Sequence, residues 1–401
     1  VLEAGRRFAD DAFAKTSWRA RDFLFAPALG CLGIQRIHVL PDVIVLAGAG
    51  VGGGSLVYAN TLYEPGDDFF SAGPWASITN WKDELAPFYD LARRMLGVNV
   101  NPRVTPADEA MREVSRRLGV ESTFTLTPVA VHFGEGPGIE SADPYFGGVG
   151  PNRRGCTHCG QCMTGCRHNA KNTLVKNYLA LAQRAGAVVQ DRCTVTSIEP
   201  RDGVWHVTVK RTGSLRREHI ECDEVVVAAG TYGTQRLLHK MRDTGVLPQL
   251  SDRLGHLSRT NSEALVGAVA PRNHGVAMNE GVAITSTFYA DERTHVQPVR
   301  YGDGSNAMGL LATRLTDFGG SGSDLVAWLV GLARHPIEAL RLLWVRGWSK
   351  RTVIALIMQS VDNSLTVSGA RTWAGRWRLR TQPGDGVSNP AWIPTAHTVA
   401  Q

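Results

Sequence analysis

A glycine-rich segment placed directly after an apolar run is the feature that most constrains the fold of this chain. The run VIVLA, residues 43–47, leads into Gly48-Ala49-Gly50-Val51-Gly52-Gly53, which matches the pattern G-x-G-x-x-G. In a dinucleotide-binding fold these glycines join a strand to a helix, and a second strand ends in an acidic residue about 20 residues later. Asp67 and Asp68 stand near that distance, but they follow the turn pair Pro65-Gly66 and no strand precedes them. The pattern therefore indicates either a phosphate turn or a look-alike glycine loop.

The acidic residue that the pattern lacks is present at the start of the chain. The chain opens with two apolar residues, followed by Glu3 and then Ala4-Gly5. The second strand of a dinucleotide-binding unit ends in the same way, with an acidic residue whose carboxylate lies near a ribose. No Met opens the chain, and no first strand with a glycine turn precedes Glu3. The sequence therefore predicts a chain that begins inside a fold. An ordinary solvated Glu3 is the alternative.

Composition sets broad limits on the class of protein. A chain of 401 residues with 43% hydrophobic and 20% charged residues fits two domains, or one large domain with an insertion. A net charge of +6 favours anionic partners, but no basic stripe interleaved with aromatic residues is present, which argues against nucleic acid. We find no signal peptide and no apolar run of about 18 residues, so we expect a soluble or peripheral protein, cytoplasmic or at a membrane surface.

The periodicity predicts an α/β chain. Residues 81–97, 171–187 and 234–245 have helical spacing. The stretch Asp223–Gly230, DEVVVAAG, reads as a buried strand followed by a turn and a helix, a layout that can place backbone near a nucleotide. Beyond about residue 262 the pattern becomes β-rich, in the stretches EALVGAVA, GVAITSTFYA, THVQPVRYG, RTVIALIMQ and RWRLRTQ.

Four cysteines give the sharpest local pattern. Their spacing is C-x2-C-x2-C-x3-C, typical of an iron–sulfur ligand run, although Arg167 stands where a Pro commonly follows. The cysteines are Cys156, Cys159, Cys162 and Cys166. A zinc site and a set of buried structural thiols are the two alternatives.

The segment Ser323–Trp348 predicts two amphipathic helices that break at Pro336, with Arg on the polar faces and Trp on the apolar ones. Such helices can lie on a membrane surface. An ordinary packed helix pair is the interpretation that the pattern favours.

Taken in order, the segments VLEAG, GAGVGGGSLVYAN, GCTHCGQCMTGCRHNAKNTL and VVVAAGTYGTQRLL resemble the glucose–methanol–choline (GMC) oxidoreductases, in their cholesterol-oxidase-like branch. The resemblance implies an α/β fold with an incomplete Rossmann-like FAD-binding domain and an α+β substrate domain with a mainly antiparallel sheet. The expected divisions are residues 1–64 with 151–262 for FAD, 65–150 as a helical and loop insertion, and 263–401 for substrate.

The resemblance also assigns residues to the cofactor. The GGGS segment becomes a loop that passes along the flavin ring, distinct from the phosphate turn, which lies upstream of the VLEAG strand in that family. Glu3 would bind the ribose of FAD and Val195 would meet the adenine through its backbone. The remaining expected cofactor residues are Gly53, Gly54, Ser55, Gly230 and Asn60, the last as a stand-in for an Asn that relatives have where Tyr58 stands.

The implied activity is oxidation of a sterol or another bulky apolar alcohol, with dioxygen or another electron acceptor. The family's catalytic His and Asn are expected beyond residue 401, so no catalytic residue is assigned in this chain. His397 lies in a different sequence context and is not taken as the catalytic His. The chain alone is therefore expected to be inactive. Gln297 stands where steroid oxidases that also move the ring double bond use a Glu, and an amide cannot serve as that base. Glu292 is the nearest upstream carboxylate.

Two other functions remain open. The cysteine run could hold an iron–sulfur centre that passes electrons from the flavin to an external acceptor, as in a dehydrogenase. Alternatively, the chain could be a non-catalytic lipid-binding remnant that uses its basic amphipathic helices.

Overall fold

The computed structural model describes residues 1–71, 73, 75–316, 324–385, 389–390 and 392–401. Its α-helices are α1 (Ala20–Phe23), α2 (Asp67–Ser71), α3 (Trp81–Leu96), α4 (Pro106–Arg117), α5 (Tyr178–Arg184), α6 (Gly230–Asp243), α7 (Asp324–Arg334), α8 (Pro336–Leu342), α9 (Trp348–Arg351) and α10 (Pro394–Ala400). The strands of the first half are β1 (Phe25–Ala26), β2 (Cys31–Leu32), β3 (Gln35–Val39), β4 (Ile44–Gly48), β5 (Asn99–Val100), β6 (Thr125–Leu126), β7 (Pro128–Val129), β8 (Glu140–Ser141) and β9 (Arg153–Arg154). Those of the second half are β10 (Cys193–Arg201), β11 (Val204–Arg211), β12 (Arg217–Cys222), β13 (Glu263–Val269), β14 (Ser286–Asp291), β15 (Thr294–Val299), β16 (Thr352–Gln359), β17 (Leu365–Arg371) and β18 (Trp377–Pro383).

A five-stranded antiparallel sheet, in the order β13-β16-β15-β14-β6, organises the second half of the chain. Side chains alternate along each strand, so that every second residue points to the same face of the sheet. Phe288, Val296 and Ile357 on this face pack against Met111 of α4 and Val399 of α10. The antiparallel sheet predicted beyond residue 262 is therefore confirmed.

A second sheet, β10-β11-β12, packs against α6. Its core contains Ile198, Val207 and Val209 together with Met241 of the helix, and Leu2 from the start of the chain packs against the same cluster. This contact ties the N-terminal segment to a part of the chain nearly two hundred positions away.

The strand predicted at Asp223–Gly230 is wrong: residues 223–228 carry no strand hydrogen bonds. Val225 and Val227 pack against the core of the second sheet, while Val226 is 89% exposed. Strand propensity becomes a strand only where a neighbouring strand completes the ladder. Among the described residues parallel pairing is confined to isolated bridges such as Leu2–Gln190, so the Rossmann-like sheet stays a prediction.

The helices follow the predicted pattern more closely. Helix α3 ends at Gly97, which has a φ of +59° and lies so close to Asn172 that a Cβ atom would be 2.5 Å from its Nδ2. Helices α7 and α8 flank the predicted break before Pro336, while α5 is shorter than predicted. In the described parts of the chain, no helix is long and apolar enough to cross a membrane.

Candidate functional site

The glycine loop, residues Gly50–Ser55, follows a hairpin rather than a parallel strand. Strand β4 pairs antiparallel with β3, and the loop continues into a short 3₁₀ turn over Gly53–Leu56. Gly50, Gly52 and Gly53 have φ values of +124°, +113° and +54°, which L side chains rarely adopt. A phosphate turn needs a helix whose N-terminus faces the ligand. The phosphate-turn interpretation of these glycines is therefore wrong, and the look-alike loop is correct.

One side of the glycine loop is packed and the other is open. A Cβ atom on Gly48, just before the loop, would lie 2.3 Å from the backbone oxygen of Gly53. A Cβ atom on Gly53 or Gly54 would meet no atom within 4 Å. The buried side chain of Leu56 anchors the inner side. The outer side of the loop therefore exposes backbone at Gly53 and Gly54, with no neighbouring atom within 4 Å of where a side chain would begin.

Lys171 fixes the inner side of this loop. Its ammonium, buried except for 2% of its surface, donates to the backbone oxygens of Leu56 at 3.0 Å, Tyr58 at 2.8 Å and Cys162 at 2.9 Å. Burial lowers the pKa of Lys171 to about 8. The amine is still largely protonated at neutral pH, and three carbonyl acceptors match its three donors.

Ser55 and Tyr58 add two further attachments. The Ser55 hydroxyl donates to Gly52 O at 2.6 Å and accepts from Leu174 N at 2.9 Å. The Tyr58 hydroxyl donates to Asn172 O at 3.0 Å, and burial raises the pKa of this phenol. Ser55 therefore holds the conformation of the loop, while the Tyr58 side chain points inward and attaches the following residues to Asn172.

Glu3 lies at one end of the glycine loop. Its Oε1 accepts from Gly5 N at 2.7 Å and from Gly50 N at 3.0 Å, while its backbone pairs with Gln190 and Cys193. Within the described part of the chain the other oxygen, Oε2, accepts no hydrogen bond. The carboxylate is thus held by strand-like backbone and keeps one oxygen for a ligand.

A basic group that the sequence did not single out lies beside Glu3. The charges of Glu3 and Arg236 both act on Arg36, and burial is the largest cause that lowers the pKa of this guanidinium. Burial, followed by Arg36 and Arg236, lowers the pKa of His38 to about 4. Arg36 Nε and His38 Nε2 are buried without a hydrogen-bond partner. Alternate residues of β3 supply both groups, a pattern that sequence reading assigns to a solvated strand face.

Val195 and Gly230 lie on the elements that flank this corner. Val195 is near the start of β10, where Cys193 N donates to Glu3 O at 2.8 Å. Gly230, with a φ of +68°, begins α6, and Tyr232 of that helix stacks on His38 at 3.6 Å between ring centroids. The structure thus brings the elements that carry Glu3, Val195, Gly230 and the glycine loop to one side of the molecule.

Asn60 is placed differently, on the buried side of the loop. It has a φ of +71°, its side chain is fully buried, and neither amide atom makes a well-formed hydrogen bond. The amide is close enough to Cys162 to lower that thiol's pKa slightly. A role for Asn60 as a direct cofactor contact therefore gains no support from this geometry.

The four cysteines surround one small cavity, next to His168 and Lys171. Burial raises the pKa of Cys156 and Cys159, and that of Cys162 to about 11. Among the described residues no three His, Cys, Asp or Glu side chains are arranged to hold a metal ion. The geometry does not support the iron–sulfur prediction and favours the alternative of buried structural thiols.

Gln297 lies on the face of the five-stranded sheet opposite to the apolar core and is 2% exposed. The Tyr63 hydroxyl lies within hydrogen-bonding reach of Gln297 and Thr287, and burial is the main cause that raises the pKa of Tyr63. The His295 ring bonds to Thr287 and stacks on Tyr289 at 4.6 Å between centroids. Glu292 is exposed in the preceding turn. Tyr63, which follows the glycine loop by eight residues in the sequence, belongs to this polar cluster.

The same sheet face is apolar and open farther from Tyr63. Register pairs Gln297 with Leu356 and Leu356 with Leu265, which is 60% exposed. We call the surface formed by Leu265, Ile354, Leu356 and Met358 the open sheet face. Glu263, paired with Met358, places an exposed carboxyl at its edge. The sequence analysis did not single out Glu263.

Comparison with known proteins places this geometry in a family. The family model for GMC oxidoreductases matches residues 143–242. The chain is 54% identical over 415 residues to the cholesterol oxidase of Mycobacterium tuberculosis, with all of this chain and 72% of that protein covered. It is 37% identical over 414 residues to the cholesterol oxidase of Acinetobacter baumannii, with 100% of this chain and 74% of that protein covered. The chain belongs to the GMC oxidoreductase family.

Proposed function

We propose that the protein is an FAD-dependent oxidoreductase that oxidises the hydroxyl of a sterol or a similarly bulky apolar alcohol. The observation that carries this proposal is the similarity to cholesterol oxidases along the whole chain, at 54% identity for the Mycobacterium tuberculosis protein. Dioxygen is the acceptor that the relatives' name suggests. The proposal divides the chain as the sequence analysis does, with FAD on residues 1–64 and 151–262 and substrate on 263–401.

The residues present fit the cofactor. A dinucleotide needs an acceptor for ribose hydroxyls, donors for its diphosphate and a flat approach for its ring. The free Oε2 of Glu3 supplies the first, and the unpartnered Arg36 Nε beside it is a buried donor of the kind that an anion satisfies. Gly53 and Gly54, which have open space where a side chain would stand, allow the flat approach.

FAD bound at these residues would supply the hydride acceptor for oxidation of the alcohol carbon. The chain's own part is positioning: Lys171 and Ser55 hold the glycine loop in one conformation, and Glu3 fixes the end of the loop through Gly50. We place the sterol rings on the open sheet face, where half-buried Leu356 and exposed Leu265 offer apolar surface. Gln297 lacks a carboxylate, so we expect oxidation without migration of the ring double bond.

Anaerobic reduction of the bound cofactor tests the function. The product of the complete reading frame containing this chain is purified with FAD, and cholesterol in detergent micelles is added without oxygen. We expect the flavin absorbance to bleach, and the unconjugated ketone to form after air is admitted. Bound flavin that no sterol bleaches, while a short polar alcohol does, would assign the family chemistry to another substrate.

A sterol substrate implies a lipid source. Since no described helix can span a bilayer, contact with a membrane would be peripheral.

A further inference from the structure

Helices α7 and α8 carry an inverted amphipathic surface. In a packed surface helix the apolar stripe faces the core. Here Val326, Leu329 and Val330 of α7 are exposed, and they recur at the spacing of one helix face. A packed helix pair, the interpretation that the sequence favours, does not by itself account for these exposed apolar side chains.

The second helix also exposes apolar side chains. Ile337 and Leu340 of α8 are 65% and 67% exposed, and Leu343 and Trp344 directly after it are also exposed. We call the surface formed by these side chains and those of α7 the α7–α8 face; its members are Val326, Leu329, Val330, Ile337, Leu340, Leu343 and Trp344. Exposed apolar patches of this extent on a soluble protein usually mark an interaction site.

Polar contacts hold the helix pair to the body of the protein from its other side. Trp328 Nε1 donates to Thr313 Oγ1 at 2.7 Å. Arg314 pairs with Glu338 at 3.2 Å. The orientation of the pair is thus fixed by its inner contacts, and the apolar face is left outward.

The charged residues around this face indicate which kind of partner it binds. Between residues 326 and 346 the chain has Arg334, Arg341 and Arg346, while its single acidic side chain, Glu338, is paired with Arg314. Exposed Leu and Trp side chains beside arginines match the layered chemistry of a bilayer surface, with acyl chains below anionic headgroups. A protein partner of ordinary composition would not require a cationic rim.

We propose that the α7–α8 face docks the protein on an anionic lipid bilayer, with the apolar side chains inserted among the acyl chains and the three arginines at the headgroups. This inference rests on the proposed function only in one respect: docking would bring a sterol oxidoreductase to the lipid phase that holds its substrate. The lipid contact itself rests on the surface described.

Vesicle flotation tests the docking. The full chain is mixed with vesicles of phosphatidylcholine alone, or of phosphatidylcholine with phosphatidylserine. We expect binding that is strongest with phosphatidylserine and weakens as salt rises. The double variant Leu329→Glu/Leu340→Glu should lose vesicle affinity by roughly tenfold or more, because two charges would enter the apolar layer. The variant Arg341→Gln/Arg346→Gln should lose mainly the preference for phosphatidylserine.

The matched control is Leu215→Glu, which changes a leucine that is 88% exposed in the turn before β12. It should bind vesicles like the parent, and the circular dichroism of all variants should be unchanged because each altered side chain is exposed. No flotation of the parent, or equal loss in Leu215→Glu, would overturn the proposal. So would a dimer in light scattering that the leucine variants dissociate without any vesicle binding, since the face would then bind a second copy.

Sterol turnover in detergent micelles, measured on the product of the complete reading frame with the same substitutions, separates this proposal from the proposed function. Loss of flotation with normal turnover in micelles supports the docking face. Flotation without turnover of any sterol would leave the docking face standing and remove the proposed substrate.

Discussion

The ammonium nitrogen of Lys171 lies 2.8 Å from the backbone oxygen of Tyr58, and this contact attaches the glycine loop to the segment that follows the cysteines. The same nitrogen also binds the backbone oxygens of Leu56 and Cys162. One buried cation thus joins two segments that are distant in sequence, the one that contains Leu56 and Tyr58 and the one that contains Cys162. The open side of the loop owes its shape to this hidden contact.

Replacement of Lys171 with Met should therefore destabilise the protein strongly. Three buried carbonyls would lose their donor, and each unsatisfied group costs about 1–3 kcal/mol, so we expect a loss of about 3 to 5 kcal/mol. Urea unfolding at neutral pH measures it. Lys176→Met is the matched control, because Lys176 bonds only to Asp10 near the surface and such pairs contribute less than about 1 kcal/mol. Equal losses in the two variants would show that the three carbonyls do not need Lys171.

Substitution of Gly54 should separate cofactor binding from stability. A Cβ atom there meets no neighbour, and the residue has no positive φ, so Gly54→Ala should leave the free energy of unfolding within about 0.5 kcal/mol. It should weaken FAD binding, because the methyl group would occupy the space of the ring. Fluorescence titration with FAD measures this. Gly66→Ala, at another open position without positive φ, should leave both quantities unchanged. Normal FAD affinity in Gly54→Ala would exclude the loop's outer side as the ring site.

Substitution of Gly48, in contrast to that of Gly54, should lower the stability of the protein. Its Cβ would lie 2.3 Å from Gly53 O, which is backbone and cannot move aside cheaply. We expect Gly48→Ala to lower the free energy of unfolding by about 1 to 3 kcal/mol and to weaken FAD binding together with stability. Thermal unfolding without FAD measures the first effect; an unchanged melting temperature would contradict the tight packing behind the loop.

His295 should make stability depend on pH. Burial lowers the pKa of His295 to about 4, whereas the unfolded value is about 6.5, so the unfolded chain binds the proton first as pH falls. Stability from the neutral ring is complete above about pH 6.5 and is lost between about pH 6.5 and 4, by at most about 3 kcal/mol. Urea unfolding at pH 7 and near pH 4.5 should show a smaller difference in His295→Gln than in the parent. An unchanged difference would place the pH dependence elsewhere, for example on His38.

The cysteine cavity should be free of iron. Anaerobically purified protein should contain no stoichiometric iron, and Cys156 and Cys162 should resist alkylation in the folded state, because burial raises the pKa of both thiols. Metal analysis and mass spectrometry after iodoacetamide treatment measure these quantities. Iron in stoichiometric amount, with absorbance beyond that of flavin, would restore the dehydrogenase alternative.

The sequence predicts the antiparallel sheet and the paired helices because their periodicity is local. It does not predict that Glu3 binds Gly50 N, since that contact joins segments whose proximity depends on the whole fold. Arg36 and His38 escape notice because alternate charged residues on a short strand are usually solvated. The strand expected at Asp223–Gly230 fails for the reverse reason: its apolar alternation is clear, but a strand also requires a neighbour.

The cysteine run shows the limit of spacing as a guide. C-x2-C-x2-C-x3-C allows four sulfurs to converge, but ligation also requires that the side chains be arranged around one ion, and no such group of three is found among the described residues. The two amphipathic helices were placed correctly from periodicity. Which way their apolar faces point depends on tertiary contacts such as that of Trp328 with Thr313.

Hydrogen–deuterium exchange with and without FAD tests the central assignment most directly, because it maps the contact without requiring turnover. We predict that FAD slows exchange in peptides that cover Gly50–Val57 and Gln35–Val39, and leaves exchange in Val204–Arg211 unchanged. FAD binding that protects neither of the first two peptides would contradict the account.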